Sequence, residues 1–142
     1  MISYFDTSAV IPLVVAEPTS ERCAQLWEAC DKRVSSVLVV AEAHAALAQA
    51  FRMARITAQQ HAAATRLLKR RLEEMDLVTA TREIANRAAL LAVQHALRGY
   101  DAVHIATALA INGPDTVAVT ADRAMLKALS TTGVATADPT HP

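Results

Sequence analysis

Short apolar runs alternate with long alanine-rich stretches of helical spacing from one end of this chain to the other, and no other feature limits its fold as tightly. Ile2 to Phe5 suits a buried strand, and Thr116 to Val119 is the clearest strand of all. Arg33 to Ser36 and Leu77-Val78 are weaker strand candidates, with Val134 to Thr136 a last one at a sheet edge. Between them the spacing predicts helices over Ser8 to Val15, Ser20 to Cys30 (capped by Thr19 or Ser20), Leu38 to Ala54, Thr57 to Glu74, Glu83 to Leu97, Asp101 to Asn112 and Arg123 to Ser130. Thr57 and Gln60 have capping-box spacing, Gly99 breaks the fifth pattern from the sixth, and Gly113-Pro114 stops the sixth. Strands separated by helices imply a mainly parallel sheet covered on both faces. A chain of 142 residues, 53% of them hydrophobic and only three glycine, makes one such domain of ordinary size. Its expected limits are residues 1–137, with 138–142 as a loose tail.

Charge excludes one class of partner surface. Fourteen basic residues balance fourteen acidic ones, so the chain as a whole has no basic footprint of the kind high-affinity nucleic-acid binders use. A nucleic acid would rely on local patches, such as Arg66, Lys69, Arg70 and Arg71, or Arg52 with Arg55. Cys23 and Cys30 stand seven apart in a helical pattern, about 10 Å along the axis, which is too far for a disulfide. Reduced thiols, no secretory leader and no apolar run near the ~18 residues of a membrane span predict a cytoplasmic protein with no membrane association.

Four acids stand in core-like settings. Asp6 closes the first strand, Glu42 lies within Val39-Val40-Ala41-Glu42-Ala43, Asp101 opens Asp101-Ala102-Val103-His104-Ile105, and Asp122 follows the strand Val117-Ala118-Val119-Thr120. An isolated buried carboxylate loses several kcal/mol of hydration, so such acids need a reason. Helix capping would account for Asp6, Asp101 and Asp122 one at a time. Glu42 has no such role, because its i±3 and i±4 neighbours are Leu38, Val39, Ala45 and Ala46. Asp6 and Asp122 also fall at the C-terminal ends of strands, where open α/β sheets gather their ligands.

Convergence of all four would need a cation, since two carboxylates ~4 Å apart repel by about 4 kcal/mol at an effective dielectric of 20. Oxygen-only ligands select Mg²⁺, or Mn²⁺, over zinc. The five histidines form no zinc set. His104 lies one turn after Asp101; its apolar neighbours Val103 and Ile105 favour a structural role, and its membership of the site is left open. Thr7, Ser8 and Thr120 are hydroxyls beside the acids, able to orient them or to cap helices.

At these residues the chain resembles the PIN domain, and within it the VapC-type toxins of bacterial toxin–antitoxin pairs. The likeness spans nearly the whole chain and is carried by Tyr4-Phe5-Asp6-Thr7-Ser8, by Ala41-Glu42-Ala43, by the run from Gly99 to Ala108, and by Thr120-Ala121-Asp122-Arg123-Ala124-Met125-Leu126, in that order and spacing. The resemblance implies a PIN-like three-layer α/β/α sandwich and a Mg²⁺- or Mn²⁺-dependent endoribonuclease, a homodimer, with Asp6, Glu42, Asp101 and Asp122 as its metal-binding and catalytic quartet. It also implies supporting roles for Ser8 and Thr120, structured RNA of the transfer or ribosomal class as substrate, and a cognate antitoxin that wraps the toxin and places a basic side chain in the acidic site. Some relatives carry a further acid near the last aspartate; here Arg123 follows, which leaves a second metal open.

Three rivals remain at this level. A phosphatase of the haloacid dehalogenase type needs an aspartate two residues after the first, where this chain has Ser8. A non-catalytic PIN-fold module would bind RNA or protein without cleaving. A housekeeping nuclease for RNA processing would share the chemistry and differ in its biology.

Overall fold

The computed structural model describes residues 1–141, and in it every strand of the single sheet runs parallel to its neighbours. In chain order the elements are β1 (Ile2–Phe5), α1 (Thr7–Val10), α2 (Ser20–Ala29), β2 (Lys32–Ser36), α3 (Leu38–Arg52), α4 (Ala58–Glu73), β3 (Asp76–Val78), α5 (Arg82–His95), α6 (Gly99–Ala110), β4 (Thr116–Val119), α7 (Arg123–Thr131) and β5 (Thr136–Ala137). The five strands lie in the order β3-β2-β1-β4-β5. Helices cover both faces, giving a three-layer α/β/α sandwich.

Alternation along the strands divides the core in two. Successive side chains of a strand point to opposite faces, so Tyr4 and Ala118 join one cluster while Phe5 and Val119 join the other. The first cluster is closed by Ile84, Leu91, Ile105, Met125 and Leu129 of α5, α6 and α7. The second is closed by Trp27, Val39, Leu47 and Leu68 of α2, α3 and α4. Phe5 and Trp27 meet there with ring centroids 5.1 Å apart. Cys23 and Cys30 are buried, free thiols. No helix among the described residues is long and apolar enough to cross a membrane.

Several boundaries differ from expectation, each for a local reason. The first helix stops at Val10 and continues as a 3-10 turn over Ile11–Leu13, because Pro12 has no N–H to donate to the turn before it. The α5–α6 break does not fall at Gly99, which opens α6; it falls at Ala96, whose left-handed φ of 52° ends α5. Asp101 is therefore the third residue of α6 rather than its start. Thr19 makes no side-chain cap for α2, where Ser20 instead accepts from the Glu17 N–H at 2.9 Å. Thr57 and Gln60 do form the predicted capping box. The last strand is Thr136–Ala137, two residues later than read. The residues beyond it are tied down rather than loose: Arg123 Nη1 reaches Asp138 at 3.0 Å and Pro139 is buried, while Pro142 lies outside the described residues.

Candidate functional site

β1 sits at the centre of the sheet, with the chain wound outward on either side of it. The crevice at the C-terminal ends of β1 and β4 is the switch point where ligands bind in sheets of this kind. A cleft of about 150 Å³ opens there, lined by Asp6, Thr7, Ser8, Glu42, Arg98, Asp101, His104 and Asp122. The four acids singled out in the sequence thus face one small space, although they come from four separated segments.

Asp6 is the most enclosed of them, 4% exposed. Its Oδ1 accepts from Ser8 Oγ at 2.7 Å and from the Ala9 N–H at 3.2 Å, and its Oδ2 accepts from Thr120 Oγ1 at 2.8 Å. Burial raises its pKa to about 6, against the opposing pull of His104, Ser8, Thr120 and the Ala9 amide. The hydroxyls form a small lattice of their own. Ser8 Oγ also accepts from the Ala121 N–H at 3.0 Å, and Thr120 Oγ1 from the Asp122 N–H at 3.1 Å. Ser8 and Thr120 therefore lock the ends of β1 and β4 to each other.

Asp122 follows that lattice and caps α7 through the Met125 N–H at 3.0 Å. Capping and cleft-lining are not alternatives: Asp6 and Asp122 do both, because the helix starts at the strand end that bounds the crevice. Asp101 caps nothing. It accepts from Arg98 Nε at 2.9 Å, and the same guanidinium lies 3.8 Å from Asp122 through Nη2.

Glu42 enters from the second turn of α3. Its Oε1 accepts from Thr7 Oγ1 at 3.0 Å and from His104 Nε2 at 2.6 Å. Burial acts to raise its pKa, but the His104 hydrogen bond and charge, with Thr7 and Arg98, more than offset this and hold it below the usual range. His104 is buried, and its Nδ1 meets the Tyr4 hydroxyl at 2.7 Å. Burial, with the Asp6 charge, drives the Tyr4 phenol well above its ordinary pKa, so it keeps its proton.

Two participants were not legible as such. Arg98 was missed, though its place one turn before Asp101 was a usable signal once both lay on one helix. Tyr4 looks in the sequence like any strand aromatic, and only the tertiary contact with His104 connects it to the cleft. Of the basic residues considered as RNA patches, Arg71 is engaged over the Trp27 ring and with Glu74.

The donors are all oxygens, the set a hard divalent ion prefers. A cation already sits on two of them in the form of the Arg98 guanidinium. Among the described residues no three His, Cys, Asp or Glu side chains close into a ready coordination sphere.

Comparison with known proteins agrees with this arrangement. The family model described as PIN domain matches residues 3–129. The ribonucleases VapC45 and VapC49 of Mycobacterium tuberculosis are each 40% identical over 120 residues, covering 84% of this chain and 83% of their own length. Among solved structures, a toxin–antitoxin complex from Klebsiella pneumoniae superposes with a TM-score of 0.68, covering 96% of this chain and 97% of that one. At 19% identity that likeness speaks for the fold.

Proposed function

The chain belongs to the PIN domain family, and from that membership we propose that it is a metal-dependent endoribonuclease, the toxin of a toxin–antitoxin pair. The observation that carries this reading is the convergence of Asp6, Glu42, Asp101 and Asp122 on one cleft at the β1/β4 switch point. The relatives called ribonucleases give the reaction class, and the toxin–antitoxin complex among the structural neighbours gives the kind of partner.

Asp6, Glu42 and Asp101, with Asp122, are the groups that would hold Mg²⁺ or Mn²⁺. Carboxylate oxygens are the ligands Mg²⁺ takes, and it binds through one or two of them while keeping several of its own waters. When bound, such an ion lowers the pKa of a water and neutralises charge developing on the phosphate. The remaining tasks fall to the chain. Ser8 and Thr120 fix both oxygens of Asp6, and Thr7 fixes one oxygen of Glu42. Glu42 or Asp122 orients the attacking water and accepts its proton. Water attacks phosphorus in line and the bond to the 3′ oxygen breaks; that oxygen takes up a proton and leaves as a 3′ hydroxyl, and the other product carries a 5′ phosphate. Arg98, 81% exposed at its side chain, occupies Asp101 and Asp122 and would have to release them for these acids to hold an ion.

The substrate is proposed to be structured RNA of the transfer or ribosomal class, met in the cytoplasm. A basic side chain from an antitoxin would fit where the Arg98 guanidinium now lies. Self-association as a homodimer is supported by Leu90 and Val93 of α5 and Tyr100 of α6, apolar side chains 73%, 87% and 64% exposed.

The test is cleavage of total RNA by purified protein with Mg²⁺ or Mn²⁺, beside chelator, Asp6→Asn and Asp101→Asn controls. Discrete fragments that disappear in all three controls are expected. Cleavage surviving in Asp6→Asn protein free of contaminating nucleases would overturn the mechanism. Metal binding without cleavage of any RNA would leave a non-catalytic binding module.

A further inference from the structure

The pair Tyr4–His104 is almost wholly buried, and it ends on an acid of the cleft. Three elements meet in it. Tyr4 comes from β1, His104 from α6 and Glu42 from α3, with Tyr4 and His104 each 2% exposed or less. The two hydrogen bonds are 2.7 Å from Tyr4 Oη to Nδ1 and 2.6 Å from Nε2 to Glu42 Oε1. The Tyr4 and His104 rings stand edge to face, 73° apart, with centroids at 5.9 Å.

The hydrogen assignment follows from chemistry. A carboxylate only accepts, so Nε2 carries a hydrogen and donates it to Glu42. Nδ1 is then satisfied by Tyr4, whose hydroxyl donates to the bare nitrogen of a neutral ring or accepts from a charged one. The ring is itself only 2% exposed and is held at both nitrogens, by Tyr4 on one side and Glu42 on the other. Thr7 takes the same Glu42 oxygen as His104, so Oε1 is saturated and Oε2 has no hydrogen bond among the described residues.

We infer that His104, held by Tyr4, is a positioning residue that pins Glu42 by Oε1 and commits Oε2 to the reacting water or the ion. This rests on the ribonuclease reading above and deepens it. Without His104, Glu42 would keep only the Thr7 hydroxyl as a partner, from a single side. A histidine ring locked on two sides is the means of holding an acid to within a few tenths of an ångström, as outer partners do for metal ligands in general.

The experiment combines ¹⁵N-histidine spectra of the metal-free protein with steady-state cleavage by His104→Leu, His104→Gln and Tyr4→Phe. The wild-type spectrum should show His104 protonated at Nε2; a bare Nε2 overturns the assignment without reference to activity. His104→Leu should lower kcat by roughly 10–100-fold with KM little changed, the cost typical of losing an outer partner. Gln at this position can still offer an amide N–H to Glu42, so it should recover part of that loss. Tyr4→Phe keeps the ring and its packing, and should lower kcat less than His104→Leu while letting the Nε2 proton signal exchange. Equal kcat in His104→Leu and wild type, or no recovery in His104→Gln, would overturn the inference alone. A wild-type protein that cleaves no RNA would overturn the ribonuclease reading, and the Nε2 assignment would still stand on the spectra.

Discussion

Asp6 is an ionisable side chain held where water barely reaches, and its stability signature has the opposite sign from that of most carboxylates. Its folded pKa of about 6 lies above its ordinary 3.8, so between those values the folded state binds more protons than the unfolded one. Stability therefore falls as pH rises through that window, and above it the ionised group costs about 3 kcal/mol. Asp6→Asn should consequently raise the Tm of the metal-free protein at pH 7.5 by roughly 3–10 °C, with the gain gone near pH 4. A lower Tm at pH 7.5 would mean that the Ser8 and Thr120 hydrogen bonds outweigh the desolvation. Glu42, held below its usual range, works the other way: its contribution is present above about 4.5 and is lost as pH falls. At this scale the acids were legible because each interrupts an apolar run, whereas Arg98 and Tyr4 were not. An arginine before a helix and a tyrosine in a strand are ordinary, and only the cleft gives them meaning.

The elements were read well where periodicity was long and poorly where a boundary turned on one backbone conformation. The central strand β1, strand β4 and the capped helix α4 are as the spacing predicts, because burial on one face or both writes itself into many residues at once. The α5–α6 junction was misplaced for the opposite reason. Glycine is the residue expected in a left-handed turn, but here Ala96 adopts it and Gly99 begins a helix. Ala96→Gly should thus stabilise the protein by about 0.5–1 kcal/mol, since the strain of a Cβ in that region exceeds the extra chain entropy of glycine. Thermal or denaturant unfolding will show it as a Tm rise of roughly 2–4 °C, and cleavage should be unchanged because Ala96 does not line the cleft. Destabilisation would show that α5 ends this way for reasons of packing rather than despite the turn.

For the whole molecule, the cleft is the place where like charges are gathered against the tendency of folding. Four acids converge where one guanidinium, Arg98, and the His104 ring are the groups that offset them within the cleft lining. Mg²⁺ or Mn²⁺ should therefore raise the Tm, by about 2.7 kcal/mol of stabilisation at a hundred times Kd. The rise should be larger in Arg98→Gln, where no guanidinium competes for Asp101 and Asp122, and should shrink in Asp101→Asn. No metal response in wild-type protein would sink the metal proposal. Residue pattern is enough for the class of fold and for singling out the four acids that line one cleft. Both are written in residue type and spacing, through the demand that a strand or helix bury its apolar side and that an acid in such a setting be compensated. That β1 and β4 are neighbours, that Ser8 and Thr120 tie them together, that Arg98 spans two acids, and that Tyr4 reaches Glu42 through His104 follow from the assembled fold alone. Those contacts join residues up to 114 positions apart, and local patterning carries no information about which distant segments a sheet will bring side by side.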